Sequence, residues 1–296
     1  MVSVIICSIN TTLARQVEKN IHETIGVPWE LILTDNAQLK KGITYVYNQG
    51  AAKARYDILC FVHEDVLFQT PSWGKIIQQY FENDLQLGLI GVAGSKYKSK
   101  ALSGWWSGIP SLDCSNIMFP QNDQLPGRAY SNPDPAVQLH EVVTADGVFM
   151  CARKSVWEAN PFNETLLDGF HFYDIDFSFR IARRHKVAVT FSIDILHLTR
   201  WGNFGNDWLR YAFRWHKLHA SEMPLKAGIA SIAPNTDRTI YKHWLLRLKN
   251  ENIHFANRLR WIFQGSHWLH ASMWPYIGLF VFYKIFNRRK DTNPKL

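Results

Sequence analysis

Hydrophobic positions along this chain fall into two alternating rhythms as far as about His197. Short unbroken apolar runs occupy Val2–Ile9, Trp29–Thr34, Ile58–Val62 and Leu87–Ala93. Runs of that length, bounded by polar residues, predict strands buried on both faces of a sheet. Between them, apolar residues three and four apart predict helices over Leu13–Ile25, Ile43–Lys53 and Ser72–Glu82, the first capped by Thr11 or Thr12. Strands and helices alternating in this way imply βαβ units, right-handed crossovers and a mostly parallel α/β sheet flanked by helices.

From Gly94 to about His140 the rhythm breaks. Lys96, Lys98 and Lys100 lead into Trp105 and Trp106, and Gly, Pro, Asn and Asp punctuate the remainder. A loop of that length inside a compact domain is ordinarily functional. Periodicity resumes through Glu141–Cys151, Arg153–Glu158 and Leu167–Asp176, followed by a helix to about His185 and a strand over Val187–Ile193. Beyond His197 nothing reads as strand, while Asp207–Ala220 and Arg238–Phe263 read as helix. The expected organisation is therefore a sheet domain over residues 1–205 and a helical, basic and aromatic C-terminal region over 206–296.

Composition narrows the function classes. With 47% hydrophobic and 20% charged residues the chain buries a sizeable core and is not a disordered segment. A formal net charge of +8 favours an anionic partner: nucleotide phosphates, an anionic membrane or nucleic acid. Cys7, Cys60, Cys114 and Cys151 show no CxxC spacing, which argues against zinc and predicts buried reduced thiols in a cytosolic compartment. The chain enters a strand at Val2 with no basic leader or apolar segment of signal length, so no secretory signal is expected.

The candidate chemistry sits at the end of the third strand, where His63, Glu64 and Asp65 follow the apolar run. In open α/β sheets ligands bind at the carboxyl ends of strands. A carboxylate pair there is costly to desolvate unless a cation compensates it, and a divalent ion does so directly. On a strand Glu64 points away from both neighbours, so it is expected to orient the loop rather than bind metal.

The order of these features resembles family 2-type glycosyltransferases of the GT-A (Rossmann-like) fold over roughly residues 1–200. The resemblance is carried by Val4-Ile5-Ile6, Asp35, Asn48-Gln49-Gly50 with Ala54, the His63-Glu64-Asp65 cluster, Asp146-Gly147 and Tyr173-Asp174-Ile175-Asp176 with Arg180. It implies an inverting, metal-dependent transfer from a nucleotide-sugar donor, UDP-linked, to a glycan or lipid-linked glycan, with Mn²⁺ or Mg²⁺ as cofactor. Asp65 matches the last carboxylate of the family's D-x-D motif and is the implied metal ligand; His63 stands where the first Asp is expected. His197 falls where some relatives supply another ligand. By the same resemblance Ser8, Asn10, Asp35, His63 and Glu64 face the donor. Asp174 is implied as the base, and Asp146, His171 and Asp176 lie on the acceptor side. The departure at His63 leaves a catalytically inactive scaffold as an alternative.

The C-terminal region adds a partner question. Ala271–Tyr283 is uncharged but too short to span a bilayer. Trp268, Trp274, Tyr276 and Tyr283 suit the headgroup level, and Arg288, Arg289 and Lys290 suit anionic lipid. This predicts a cytoplasmic protein held peripherally on the inner face of a membrane; the opposing reading is helices packed on the catalytic domain or a second subunit. Nucleic-acid binding through the same basic aromatic region is the alternative from another class. It lacks an RRM-, KH- or HTH-like signature, so no nucleic-acid partner is expected.

Overall fold

The computed structural model describes residues 1–120, 127–199, 204–265 and 270–286. The chain opens with β1 (Val2–Ser8), α1 (Thr11–Thr24), β2 (Trp29–Asp35), the one-turn α2 (Asn36–Leu39), α3 (Ile43–Lys53), β3 (Ile58–His63), β4 (Val66–Phe68), α4 (Trp73–Asn83) and β5 (Leu87–Gly91). Short strands follow: β6 (Ala93–Ser95), β7 (Tyr97–Lys98), β8 (Asp113–Met118), β9 (Arg128–Ser131), β10 (Leu139–Val142) and β11 (Thr144–Ala145). Then come β12 (Phe149–Arg153), α5 (Lys154–Ala159), α6 (Tyr173–Ala182), β13 (Lys186–Thr190) and β14 (Ile195–His197). The C-terminal region holds α7 (Asn206–Leu218), β15 (Leu225–Lys226), α8 (Thr236–Leu248), α9 (Phe255–Gln264) and α10 (Trp274–Phe286).

The main sheet has seven strands in the order β10-β13-β5-β12-β3-β1-β2. It is the α/β sheet flanked by helices that the resemblance implies, with one correction: it is mixed rather than mostly parallel. β1 runs parallel to β2 and β3, but β12 is inserted antiparallel between β3 and β5, and β10 is antiparallel to β13. Period-2 alternation divides the core. Val4, Ile6, Cys60 and Val62 meet α1 and α4 on one face, while Ile5, Leu59 and Phe61 meet α3 and α6 on the other.

The antiparallel insertion also corrects the cysteine expectation. Cys60 of β3 and Cys151 of β12 are direct register partners and form a disulfide, with Cα atoms 4.2 Å apart. Only Cys7 and Cys114 remain thiols. Burial, then the charge of Glu64, push the Cys7 thiol up to about 11.

The segment expected as a long loop is instead largely ordered. A second, six-stranded sheet runs β11-β6-β8-β14-β4, with β9 on β8. These strands are too short and too polar to print an alternating pattern, which is why the sequence reads as loop there. One pairing matters for the site: β14 runs antiparallel to β4 with His197 opposite Val66, and the Leu198 amide donates to the Asp65 carbonyl at 2.9 Å.

The C-terminal helices pack on the sheet domain. Trp208, Trp215, Trp244 and Trp261 are buried in one cluster with Tyr97, Leu102 and Leu112 of the 97–112 segment and with Phe172, Ile175 and Phe179. Trp208 and Trp244 stack at 4.8 Å. The expected helix over Arg238–Phe263 is two helices, α8 and α9, broken at a turn where Ile253 is buried. Among the described residues no helix is long and apolar enough to cross a membrane. Trp268, Arg288, Arg289 and Lys290 lie outside the described residues, as does the side chain of Tyr283.

Candidate active site

Two loops meet at the carboxyl end of the parallel strands. Glu64, just past β3, accepts hydrogen bonds from the Ser8 hydroxyl and from the amides of Ile9 at 3.1 Å and Asn10 at 2.9 Å. It thus ties the turn after β3 to the turn after β1. Asn10 itself caps α1 in place of the expected threonines, accepting from the amides of Thr12 at 3.0 Å and Leu13 at 3.3 Å. Asp35, the register partner of Ser8, caps α2 through the Ala37 amide at 3.0 Å. The side chains of Ser8, Asn10, Glu64 and Asp35 therefore share the edge formed by the carboxyl ends of β1, β2 and β3, and each is already used to fix a backbone turn.

His63, Asp65 and His197 converge beside that edge, with one potential ligand atom of each lying within 4.8 Å of the others. His197 Nε2 sits 3.2 Å from Asp65 Oδ1. Burial alone would raise the Asp65 carboxyl, but His197 and Thr199 hold it far below the usual carboxylate range, so it is ionised. Burial, reinforced by the neighbouring His197, lowers His63 and keeps its ring neutral. A neutral imidazole and an ionised carboxylate are the states metal ligation requires. A pair of imidazoles with one carboxylate is a donor set that fits a divalent ion. The three residues come from two sheets, and only the β14–β4 pairing makes the set complete.

The second group lies on α6 and the turn before β12. Asp174 Oδ2 accepts the Gly147 amide at 3.0 Å. Burial, then the charge of Asp146, push its carboxyl up to about 7. Asp146 accepts the Trp105 indole Nε1 at 2.5 Å on one oxygen and the Val148 amide at 2.9 Å on the other. Tyr173, preceding Asp174, bridges the two groups: its hydroxyl donates to the Gly147 carbonyl at 3.2 Å and lies 2.6 Å from His63 Nε2. A Cβ on Gly147 would fall 2.0 Å from that hydroxyl, so only glycine admits the contact. The helix is aimed by a strained residue, Phe172, which is buried at φ 67°.

The other two acceptor-side candidates, Asp176 and His171, differ in burial. Asp176 is 0% exposed. Its carboxylate accepts from Arg180 Nε at 2.8 Å, Trp215 Nε1 at 3.1 Å and His219 Nε2 at 3.1 Å, so it faces the packed C-terminal helices. His171 lies on the loop before α6 with its ring 6.3 Å from Tyr211, and burial pushes it down to about 4, leaving it neutral. Phe170 beside it is 55% exposed, its ring 5.7 Å from His63. Tyr173 and Trp105 had no assigned role in the sequence. The Trp105-Trp106 pair in an otherwise polar stretch is the signal for Trp105, and the place of Tyr173 directly before Asp174 in the quoted motif is the signal for Tyr173.

Comparison with known proteins adds the family. No curated protein sequence matches the chain. Among solved structures, the mannosyltransferase PcManGT from Pyrobaculum calidifontis, in complex with GDP-Man and Mn²⁺, superposes with a TM-score of 0.48 at 13% identity, covering 98% of this chain and 81% of that one. GalNAc-T7 with UDP, GalNAc and Mn²⁺ gives 0.48 at 9% identity, covering 68% of this chain and 43% of that one. A197 from STIV gives 0.37 at 11% identity over 67% and 86%. These likenesses are too loose to transfer a ligand. The sequence profile described as "Glycosyltransferase like family" matches residues 3–222, a span that holds every residue of the candidate site and most of the chain. The chain therefore belongs to the glycosyltransferase-like family.

Proposed function

We propose that the protein is an inverting, divalent-metal-dependent glycosyltransferase that moves a sugar from a nucleotide-sugar donor, UDP-linked, to a glycan or lipid-linked glycan. The observation that supports this most is the meeting of two unlike carboxylates at one sheet edge. Asp65 is held ionised beside two imidazoles, and Asp174 is pushed up to about 7 next to Asp146. A general base works best with its pKa near the working pH. In this reading Asp174 takes the proton of the acceptor hydroxyl as that oxygen attacks the anomeric carbon opposite the departing nucleotide. His63, Asp65 and His197 would hold the ion, which when bound offsets the charge developing on the diphosphate. Ser8, Asn10 and Asp35 border the donor side, and Asp146, held by Trp105, keeps Asp174 protonatable. The test is release of UDP from UDP-sugars with Mn²⁺ and with chelator, on the intact chain and on Asp65→Asn. Metal-dependent turnover that Asp65→Asn abolishes is expected; turnover of a sugar nucleotide equal in both proteins removes Asp65 from the site.

The same reading places the acceptor at a membrane surface, with the protein cytoplasmic and peripheral. The inner face of α10 (Ile277, Phe280, Val281), with Met273 just before it, is buried against α8 and α9, while Trp274 is 66%, Leu279 44% and Phe282 42% exposed. These three, with Pro275 and Gly278, share one helical face. Burial of such a face in lipid contributes on the order of a few kcal/mol, enough for reversible attachment with the basic residues that follow. Flotation with anionic vesicles is expected for the intact chain and lost in Trp274→Asp/Leu279→Asp. An intact chain that stays with the soluble fraction at low salt refutes the attachment.

A further inference from the structure

A cleft in the C-terminal region takes no part in the transfer chemistry. Its volume is about 380 Å³, within the ~300–1,000 Å³ range of small-ligand sites. The lining comes from α7 and the turn after it, from the segment after β7 and from the end of α9, and holds none of the candidate active-site residues. We propose that this cleft binds an anionic phospholipid, with the phosphate held by Lys100 and Lys217 and the start of an acyl chain against Leu102, Phe213 and Met223. The proposal rests on the reading of the protein as peripheral on a membrane, and gives that attachment a headgroup-selective contact on residues other than those of α10.

Charge and burial divide the cleft. Leu102, Phe213 and Met223 are buried. Lys100 and Lys217 are exposed at the rim, and neither makes an ion pair among the described residues. The lining includes no Asp or Glu. Glu222, next to Met223 in the chain, is committed to Arg183 and His219. Arg260 adds a further cation, its guanidinium 4.3 Å from the centre of the Phe213 ring. Basic pockets of this kind hold anionic lipid headgroups. A bare inorganic anion would need only the cations. The apolar floor, with Leu218 and Phe263 exposed beside Lys217 and Gln264 in the chain, suits a ligand that carries a hydrocarbon chain at a membrane surface.

Another positive charge stands behind the cleft wall. Lys98 is 0% exposed. Its Nζ lies 2.8 Å from both the carbonyl and the hydroxyl of Ser103, 3.1 Å from the Gly104 carbonyl and 3.2 Å from Nε2 of His216, a lining residue. His216 Nδ1 donates to the Ala212 carbonyl at 2.8 Å, so its Nε2 accepts. The Ser103 hydroxyl donates to the Ala101 carbonyl at 3.1 Å, so it too accepts from Lys98. All four neighbours are thus acceptors, the surroundings an ammonium requires, and they offer the lone pair of a neutral amine no donor. Buried ions are ordinarily paired. Yet Asp237, the carboxylate whose charge reaches Lys98, accepts from the hydroxyls of Tyr97 and Ser99 instead. A phosphate in the cleft, one imidazole away, supplies the missing counter-charge.

The test is calorimetric titration of the full chain with dihexanoyl phosphatidic acid kept monomeric, beside inorganic phosphate and dihexanoyl phosphatidylcholine. Phosphatidic acid is expected to bind about 10-fold or more tightly than either of the others. Lys100→Ala/Lys217→Ala should weaken it about 10-fold at unchanged melting temperature. Ala220→Trp, which fills the cleft from an exposed rim position, should abolish binding. Absence of binding, or binding that survives both variants, overturns the proposal. Inorganic phosphate bound as tightly as the lipid overturns it as well, since the apolar floor then contributes nothing. The wild-type comparison of the three ligands decides even where a variant fails to fold. A chain that binds the monomeric lipid but does not float with anionic vesicles keeps the cleft and refutes the membrane attachment alone.

Discussion

Asp174 and Asp176 stand two residues apart at the start of one helix, and the fold treats them in opposite ways. Asp174 accepts the Gly147 amide and faces the charge of Asp146, and burial with that charge pushes it up to about 7. Asp176 is the more deeply buried, yet His219 and Arg180 hold it below its ordinary range against the pull of burial. Trp215 completes its shell. Burial alone does not decide a carboxyl's state; the charges facing it do. A helical step of two residues turns the side chain by more than half a circle, carrying Asp174 to the sheet edge and Asp176 into the aromatic core.

The largest effect should come from the first of the pair. Asp174→Asn is expected to lower transfer by about 10²–10⁴-fold while donor binding persists, as removal of a general base does. The intact enzyme should gain activity as pH rises through about 7, because the base must be ionised. The sign for stability is opposite. A carboxyl raised in the folded state weakens folding as pH climbs from the unfolded carboxylate range near about 4 to its folded value of about 7, and the loss is complete above that, so Asp174→Asn should melt no lower than wild type in alkaline buffer. Should Asp176→Asn abolish transfer in folded protein instead, the assignment of the two residues is reversed.

Next in size is the structural partner. Asp176→Asn leaves the buried Arg180 and His219 side uncompensated, and breaking such a cluster costs about 3–5 kcal/mol. A fall in melting temperature of several degrees is expected, with transfer retained below it. Because the folded Asp176 is lowered, its stabilisation is present above the unfolded carboxylate range near about 4 and is lost as pH falls through the folded value. Acid titration of wild type and variant should therefore converge at low pH. The smallest effect sharpens the contrast from outside: Trp105→Phe removes the indole donor from Asp146. A loss of activity of a few-fold is expected, with a displaced acid limb, since the charge of Asp146 is one of the causes that push Asp174 up. An unmoved profile would separate Trp105 from the chemistry.

Much of the catalytic half was legible because its determinants are local. β1, β3 and β5 are apolar runs whose length and boundaries identify them, and the residues after β3 follow at once in the chain. The segment after Gly94 was not, because strands such as Ala93–Ser95 and Tyr97–Lys98 take their identity from partners rather than from an alternating pattern. Of the tryptophans read as suiting a headgroup layer, Trp274 is 66% exposed. Trp208, Trp215, Trp244 and Trp261, on the helices before it, are core, since an indole suits a packed cluster as well as a headgroup layer.

The sequence by itself determined the α/β alternation, the acid-rich end of the third strand and the family motifs, each carried by neighbours along the chain. Tertiary structure alone decided which distant groups face one another. The antiparallel entry of β12 pairs Cys60 with Cys151, and β14 on β4 brings His197 to Asp65. The packing of α7 hands His219 and Trp215 to Asp176. Local pattern encodes which way a side chain points within its own element. Register between elements depends on the whole sheet and its packed faces, and that information is spread over residues too far apart for any single stretch to show it.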